Sequence, residues 1–294
     1  MRLHLVDASL YVFRAWHSLP PEQFTDIDGW PVNAVHGFAR FLLELLEQVQ
    51  PSHLAVAFDQ SLESSFRNEL YPAYKANREP APEELKRQFS LCQDFTRALG
   101  LSVMVDDRFE ADDLIGSLMT RQRGHGFKAT IVSADKDLSQ LLADGDVQWD
   151  YARQQRWDAS GVKDRYGVHP HQIADLLGLA GDATDNIPGV PGIGTKTAAA
   201  LLEHFGSLDA LLKRVDELPF LRLRGAAAHA KRLRQHGDMA RLSRQLATIA
   251  RDAPLAAEIT DARRGPCDGH AMQGLMDQLR LRPMTRRRIQ AQMV

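Results

Sequence analysis

Nine carboxylates are placed where they could do chemistry: Asp7, Asp59, Glu110, Asp112, Asp113, Asp135, Asp137, Asp182 and Asp185. Each lies just past an apolar run that reads as a strand, or in a loop beside one. In an open parallel sheet, side chains at the carboxyl ends of the strands share one crevice. Like charges crowded together raise one another's pKa and cost stability unless cations neutralise them. Oxygen donors without a His or Cys cluster favour Mg²⁺ or Mn²⁺ over Zn²⁺. Two such ions side by side form a clamp for phosphodiester hydrolysis.

Each acid also has a plainer explanation. Glu110, Asp112 and Asp113 open an apolar helical pattern, where acids offset the positive helix end. Three acids in four positions exceed that need, and Glu110 and Asp113 share a face. Asp137, with Gln140 three residues on, spells a capping box, which leaves Asp135 unexplained. Asp7 and Asp59 alone would be turn residues, and Asp182 and Asp185 fit Asx turns. The recurrence after successive apolar runs is what favours the metal reading.

Gly189, Gly192 and Gly194 precede a helical stretch, a pattern that lets backbone N–H groups and a helix start approach a phosphate. Thr195 separates Gly194 from Lys196, so the Walker A spacing fails and an ATPase is excluded. What remains is a hairpin between helices that grips nucleic-acid backbone without reading sequence. Residues 67–88 are rich in charge and interrupted by Pro72, Pro80 and Pro82, and read as an exposed, mobile excursion. Within it, Arg67, Lys75 and Arg78 surround Tyr74: either a solvated charged face, or a gate in which cations hold phosphates while the ring stacks on a base.

These groups are positioned by strands read at Leu3–Val6, Leu54–Phe58, Leu101–Val105 and Ala129–Val132, with a weaker fifth at Val147–Tyr151. Helical patterns span Val35–Val49, Leu85–Leu99 and Leu114–Gln122. The alternation predicts an α/β fold with a mostly parallel sheet flanked by helices. From Gly161 onward the reading is short helices at Val162–Tyr166, Ile173–Leu177, Thr197–Phe205, Leu208–Arg214 and Arg241–Ala250.

Of the 294 residues, 44% are hydrophobic and 25% charged, as in ordinary globular proteins. The net charge of −2 conceals an asymmetry: Lys213 to Arg251 carries ten Lys/Arg against three Asp/Glu, and Arg280 to Arg288 adds five arginines. A basic surface beside an acidic, metal-filled pocket suits a polyanion. Arg280–Arg288 reads as a solvated tail or an extra phosphate contact. Two isolated cysteines give no disulfide framework. No charged leader and no apolar run of about 18 residues is present, so the expected location is cytoplasmic.

Together these segments resemble the 5′-nuclease superfamily. It includes the 5′-nuclease domain of bacterial family-A DNA polymerases, phage 5′-exonucleases, flap endonucleases and the stand-alone exonuclease IX group. The resemblance rests on LVDASLYVFRA, AVAFD, FRNELYPAYKANR, EADD, SADKDLSQLL and GLAGDATDNIPGVPGIGTKTA. It implies a PIN-like core at 1–160 with a helical arch at about 65–90. A helix–three-turn–helix module at 161–255 and a basic tail at 256–294 would follow, in a stand-alone chain.

The implied activity is Mg²⁺-dependent 5′-3′ exonuclease and 5′-flap cleavage with two metals, Mn²⁺ being an alternative. Asp7, Asp59, Glu110 and Asp112 match the first-metal group, with Asp113 beside it; Asp135, Asp137, Asp182 and Asp185 match the second. Lys75 and Arg78 would steady the phosphate during catalysis. One K⁺ would be held by the carbonyls of Leu179, Ala180, Pro188, Val190 and Ile193. Arg67, Tyr74, Gly192, Gly194, Thr195, Lys196 and Thr197 would touch DNA. The implied partner is DNA with a 5′ flap, or a 5′ end at a duplex junction, bound by a monomer with no membrane role. A weakly catalytic junction-binding protein and a PIN-type ribonuclease are the competing readings.

Overall fold

The computed structural model describes residues 1–60, 65–256, 259 and 262–293. By its contacts the chain interleaves two compact units. One comprises Met1–Ser61, Pro80–Ala134 and Ala250–Val294; the other Leu62–Glu79 and Asp135–Ile249. We call them the sheet unit and the helical unit.

The sheet unit is built on four parallel strands: β1 (Arg2–Asp7), β2 (Leu54–Ala57), β3 (Ser102–Met104) and β4 (Lys128–Val132). Their order is β3-β2-β1-β4, with Asp7 opposite Ala57 and Val6 opposite Val132. Leu3, Leu5, Val6 and all of β2 are buried. Continuous apolar runs of this kind are what a parallel sheet covered on both faces requires. The chain runs from β1 outward to β2 and β3, then returns to the far side of β1 for β4. The carboxyl ends of β1 and β4 therefore flank the switch point, where open α/β sheets bind ligands.

Helix Asn33–Val49 buries Val35, Phe38, Leu42, Leu45 and Leu46 on one stripe and stops where Gln50 turns left-handed, at φ 48°. Helix Ala8–Ser18 was not expected. It buries Ala8, Tyr11, Val12 and Ala15, and Tyr11 stacks on Phe41 at 3.7 Å. The expected solvated tail is instead packed. Helices Gly269–Gln278 and Pro283–Gln292 bury Met272, Met276 and Ile289, while Arg288 pairs with Glu44 and Glu47 and Arg286 with Asp277. The sequence shows five arginines there, but buried Leu279, Leu281 and Ile289 hold the segment down.

The helical unit contains an antiparallel hairpin, β5 (Val147–Asp150) and β6 (Gln155–Asp158), the second strand unforeseen. Its helices are Ala159–Tyr166, Ile173–Ala180, Thr195–Phe205, Leu208–Lys213 and Ala226–Ala247. The helix expected at 241–250 is the second half of the last of these, beyond a kink at His236, and ends at Ala247.

The excursion at 67–88 is largely exposed, as expected, but is pinned by buried side chains at Arg67, Tyr74, Leu85 and Gln88. Residues 65–79 form one five-residue helix, Phe66–Leu70, followed by turns. Arg67 and Tyr74 are each 3% exposed. The Arg67 guanidinium donates to the carbonyls of Leu246 (2.8 Å) and Thr248 (3.0 Å). Those carbonyls end a helix and lack intrahelical donors, so a cation satisfies them. An interior cap of this kind takes Arg67 out of the expected DNA contacts. Glu83–Ala98 is an ordinary amphipathic helix of the sheet unit, burying Leu85, Leu91, Cys92 and Phe95.

Among the described residues no helix is long and apolar enough to cross a membrane.

Candidate metal and nucleic-acid site

In the sheet unit, β1 delivers Asp7 to the switch point. Asp7 precedes helix Ala8–Ser18 but does not cap it; its Oδ2 accepts from Ser133 Oγ, 2.9 Å away beyond the end of β4. Asp59 follows β2. Its N–H donates to Ser9 Oγ (3.1 Å), and its Oδ1 accepts from the N–H of Ala111 (2.9 Å). That bond brings Asp59 to the start of helix Ala111–Arg123, between Glu110 and Asp112 in sequence.

Asp113 stands apart from this group. Fully buried, it accepts from the N–H of Glu110 (3.1 Å) through Oδ2 and from the N–H of Ala250 (2.8 Å) through Oδ1. Glu110 and Asp113 complete a reciprocal capping box. Both oxygens of Asp113 are thus committed to backbone, which makes it a cap and strap anchor where a metal neighbour was expected.

The other four acids gather in the helical unit. Asp135 Oδ1 accepts from the N–H of Asp137 (2.9 Å), an Asx-type bond at the start of the short turn Asp137–Leu141. Gln140, the box partner in the plainer explanation of Asp137, instead binds the Ala247 carbonyl and the Ile249 N–H. Asp182 and Asp185 sit in a loop closed by mutual backbone bonds of 2.8 Å between Asp182 and Ile187. The loop is tied to residues 73–78 by bonds from Lys75 N to Asp185 O (3.0 Å), Asn77 Nδ2 to Ala183 O (2.9 Å) and Asn186 Nδ2 to Ala73 O (2.6 Å). Lys75 Nζ lies 3.9 Å from Asp185 Oδ2, and Arg78 is ion-paired with Asp185. Tyr74 points its hydroxyl at the same carboxylate, 3.5 Å away, which replaces the expected base-stacking role with a supporting one.

Sequence reasoning passed over Lys136. Its ammonium is ion-paired with Asp182 and lies 4.0 Å from Asp137 Oδ1. Only the return of residue 182 to residue 136 reveals this. Desolvation, then the charges of Asp135 and Asp185, hold Asp137 well above the ordinary carboxylate range, although Lys136 opposes them. Asp135 is raised by desolvation and by Asp185, against the Asp137 N–H, Lys136 and Lys75. Asp182 goes the other way: desolvation raises it, but the bond and charge of Lys136 outweigh that and lower it.

Among the described residues no three His, Cys, Asp or Glu side chains already converge closely enough to hold an ion. Several of the oxygens are engaged, by Ser133 and a backbone N–H group in the sheet unit, and by Lys75, Arg78 and Lys136 in the helical unit. The donor chemistry nonetheless fits a hard divalent cation, being carboxylate alone. Asp137 Oδ1 is buried without a hydrogen-bond partner, which is the polar atom such an ion would satisfy.

The glycine hairpin is shaped by close backbone approach. At Gly189 (φ +61°) a Cβ would fall 2.3 Å from Gly181 N and 2.7 Å from the Ala180 carbonyl carbon. The Leu179 carbonyl accepts from Val190 N (2.8 Å) and the Val190 carbonyl from Ile193 N (3.0 Å). Gly192 (φ +76°) accepts through its carbonyl from Arg232 Nη1 at 3.3 Å. Nothing lies within 4 Å of where a Gly194 Cβ would be, and helix Thr195–Phe205 starts without a side-chain cap, with Thr195 and Lys196 exposed. Its first N–H groups suit an anion. Gly189→Ala is expected to destabilise the protein by about 3 kcal/mol, from backbone overlap and left-handed strain. Urea unfolding checks this, and an unchanged midpoint would refute the packing described.

Two family profiles match the chain: the 5'-3' exonuclease N-terminal resolvase-like domain over residues 2–167, and the 5'-3' exonuclease C-terminal SAM fold over residues 168–270. The chain belongs to the 5'-3' exonuclease family. This 5'-3' exonuclease family member is 40% identical over 292 residues to DNA polymerase I of Rhizobium leguminosarum, covering 97% of the chain and 28% of that protein. It is 39% identical over 265 residues to DNA polymerase I of Bacillus caldotenax, covering 88% and 29%. The chain thus spans less than a third of the length of these curated relatives. Its fold is like that of the T5 D15 protein co-crystallised with metal ions (TM-score 0.68, 18% identity, 99% of this chain and 98% of that one). It is also like that of the catalytic core of Rad2 in complex with DNA substrate (TM-score 0.67, 15% identity, 100% and 92%).

Proposed function

We propose that this chain is a divalent-metal-dependent, structure-selective 5′ nuclease that hydrolyses DNA phosphodiesters at a 5′ end or 5′ flap beside a duplex. The observation that carries the reading is family membership over residues 2–270, supported by four candidate carboxylates in each unit. Asp7, Asp59, Glu110 and Asp112 would hold one Mg²⁺, and Asp135, Asp137, Asp182 and Asp185 a second. When bound, such ions place positive charge at the phosphoryl oxygens and make water a competent nucleophile near neutral pH.

The chain's own residues do the rest. Lys75 and Arg78 stabilise charge on the phosphoryl oxygens, a contribution of a few kcal/mol when donors are preorganised. The hairpin binds duplex backbone through the N–H groups around Gly192, Gly194, Thr195, Lys196 and Thr197. The carbonyls of Leu179, Ala180, Pro188, Val190 and Ile193 would hold K⁺ between protein and phosphate. No side chain acts as nucleophile. The protein acts as a monomer on this reading.

The test is cleavage of an end-labelled 5′-flap duplex with Mg²⁺ and with EDTA. Cleavage only with Mg²⁺, releasing the flap near the junction, supports the nuclease. Tight junction binding without cleavage under either condition would instead make this a binding protein.

A further inference from the structure

We propose that Lys136 competes with the divalent cation for the Asp137 and Asp182 carboxylates, and so sets the metal affinity of the donor group in the helical unit. The inference rests on the nuclease reading above and concerns the regulation of that same site.

Three cations sit on three of the four acids here: Lys136 on Asp182 and near Asp137, Lys75 and Arg78 on Asp185. Lys75 and Arg78 come from the segment tied to the 182–187 loop, with a role toward phosphate. Lys136 has a different placement. It lies in sequence between two of the acids, its side chain is 43% exposed, and its ammonium reaches back to Asp182, whose side chain is only 9% exposed. An ammonium on a carboxylate oxygen removes a donor from a metal and adds a repelling charge beside it. Lys136 also satisfies the acids until a harder cation takes them, since an unneutralised cluster of carboxylates costs stability. Half-exposed and on a flexible stem, it can swing to solvent when displaced. The lysine therefore acts as a resident counter-ion that both steadies the acids and weakens metal binding.

The experiment is Mn²⁺ titration of the whole chain, with free Mn²⁺ read by electron paramagnetic resonance, alongside thermal unfolding in EDTA. For Lys136→Met the weaker-bound Mn²⁺ should tighten by roughly tenfold, equivalent to about 1.4 kcal/mol, while the melting point in EDTA falls. Lys136→Arg, which keeps the charge, should leave Mn²⁺ affinity within about twofold of wild type. An Mn²⁺ affinity that is unchanged or weakened in a folded Lys136→Met overturns the competition. If wild type binds only one Mn²⁺, and Asp185→Asn does not alter that binding, the donor assignment itself fails and the inference falls with it. Two sites in wild type with an unresponsive Lys136→Met sinks the inference alone.

Discussion

Asp112→Ala is expected to slow Mg²⁺-dependent flap cleavage by about a thousandfold while leaving binding of the same DNA nearly unchanged. Asp112 is half-buried at the start of helix Ala111–Arg123, one residue from the N–H that Asp59 accepts. In the proposed reaction its carboxylate helps hold the ion that stabilises phosphoryl charge. Loss of that charge stabilisation removes several kcal/mol, and a thousandfold corresponds to about 4 kcal/mol in the barrier. The effect should lie in the single-turnover rate at saturating DNA and Mg²⁺. On the proposed reading DNA binding is carried by another part of the chain, the hairpin at 189–198, so a fluorescence-anisotropy titration in Ca²⁺ should change little. Undiminished single-turnover cleavage would remove Asp112 from the metal group.

Its neighbour should behave in the opposite way. Asp113→Ala is expected to destabilise the protein by about 3 kcal/mol, since it strands two N–H donors that each cost about 1–3 kcal/mol when left unpaired. For a chain of this size that corresponds to a fall of roughly 10 °C in melting temperature. The two donors are those of Glu110 and Ala250, and the carboxylate that accepts both is fully buried. Asp113→Asn keeps one acceptor oxygen and should lose about half as much. Asp112→Ala, which leaves both of those N–H donors paired with Asp113, should melt within a few degrees of wild type. Equal melting points for the Asp112 and Asp113 variants would contradict the division of labour within the acid run.

The contrast between those two residues shows what was legible in the sequence and what was not. β1 and β2 were readable because both faces are buried, which leaves an uninterrupted apolar run. β6 was not, since Gln155-Arg156-Trp157-Asp158 buries one side chain, Trp157. Helix Ala8–Ser18 carried its apolar stripe in plain view, but it abuts β1 with only Asp7 between them. Adjacent Asp112 and Asp113 differ in what lies opposite: Ala250 is 137 residues away, and no local pattern announces it. The Glu110–Asp113 box, by contrast, was present in the spacing. Arg67 looked solvent-facing because charge composition does not say whether a guanidinium meets water or the end of a distant helix. Lys136 was hidden for the same reason, its partner Asp182 being 46 residues on.

The interleaving of the two units bears on how the chain is made. Every residue of the helical unit, up to Ile249, leaves the ribosome before the last segment of the sheet unit begins at Ala250. That late segment is no ornament: Ala262 accepts from the N–H of Leu54 at the start of β2, Gly265 donates to Gly100, and Arg264 donates to Ser52. During synthesis, the helical unit can therefore close while the older, amino-terminal strands still await their final partners. Nascent chains halted just after Ile249 has cleared the exit tunnel should protect the helical unit from protease ahead of the sheet.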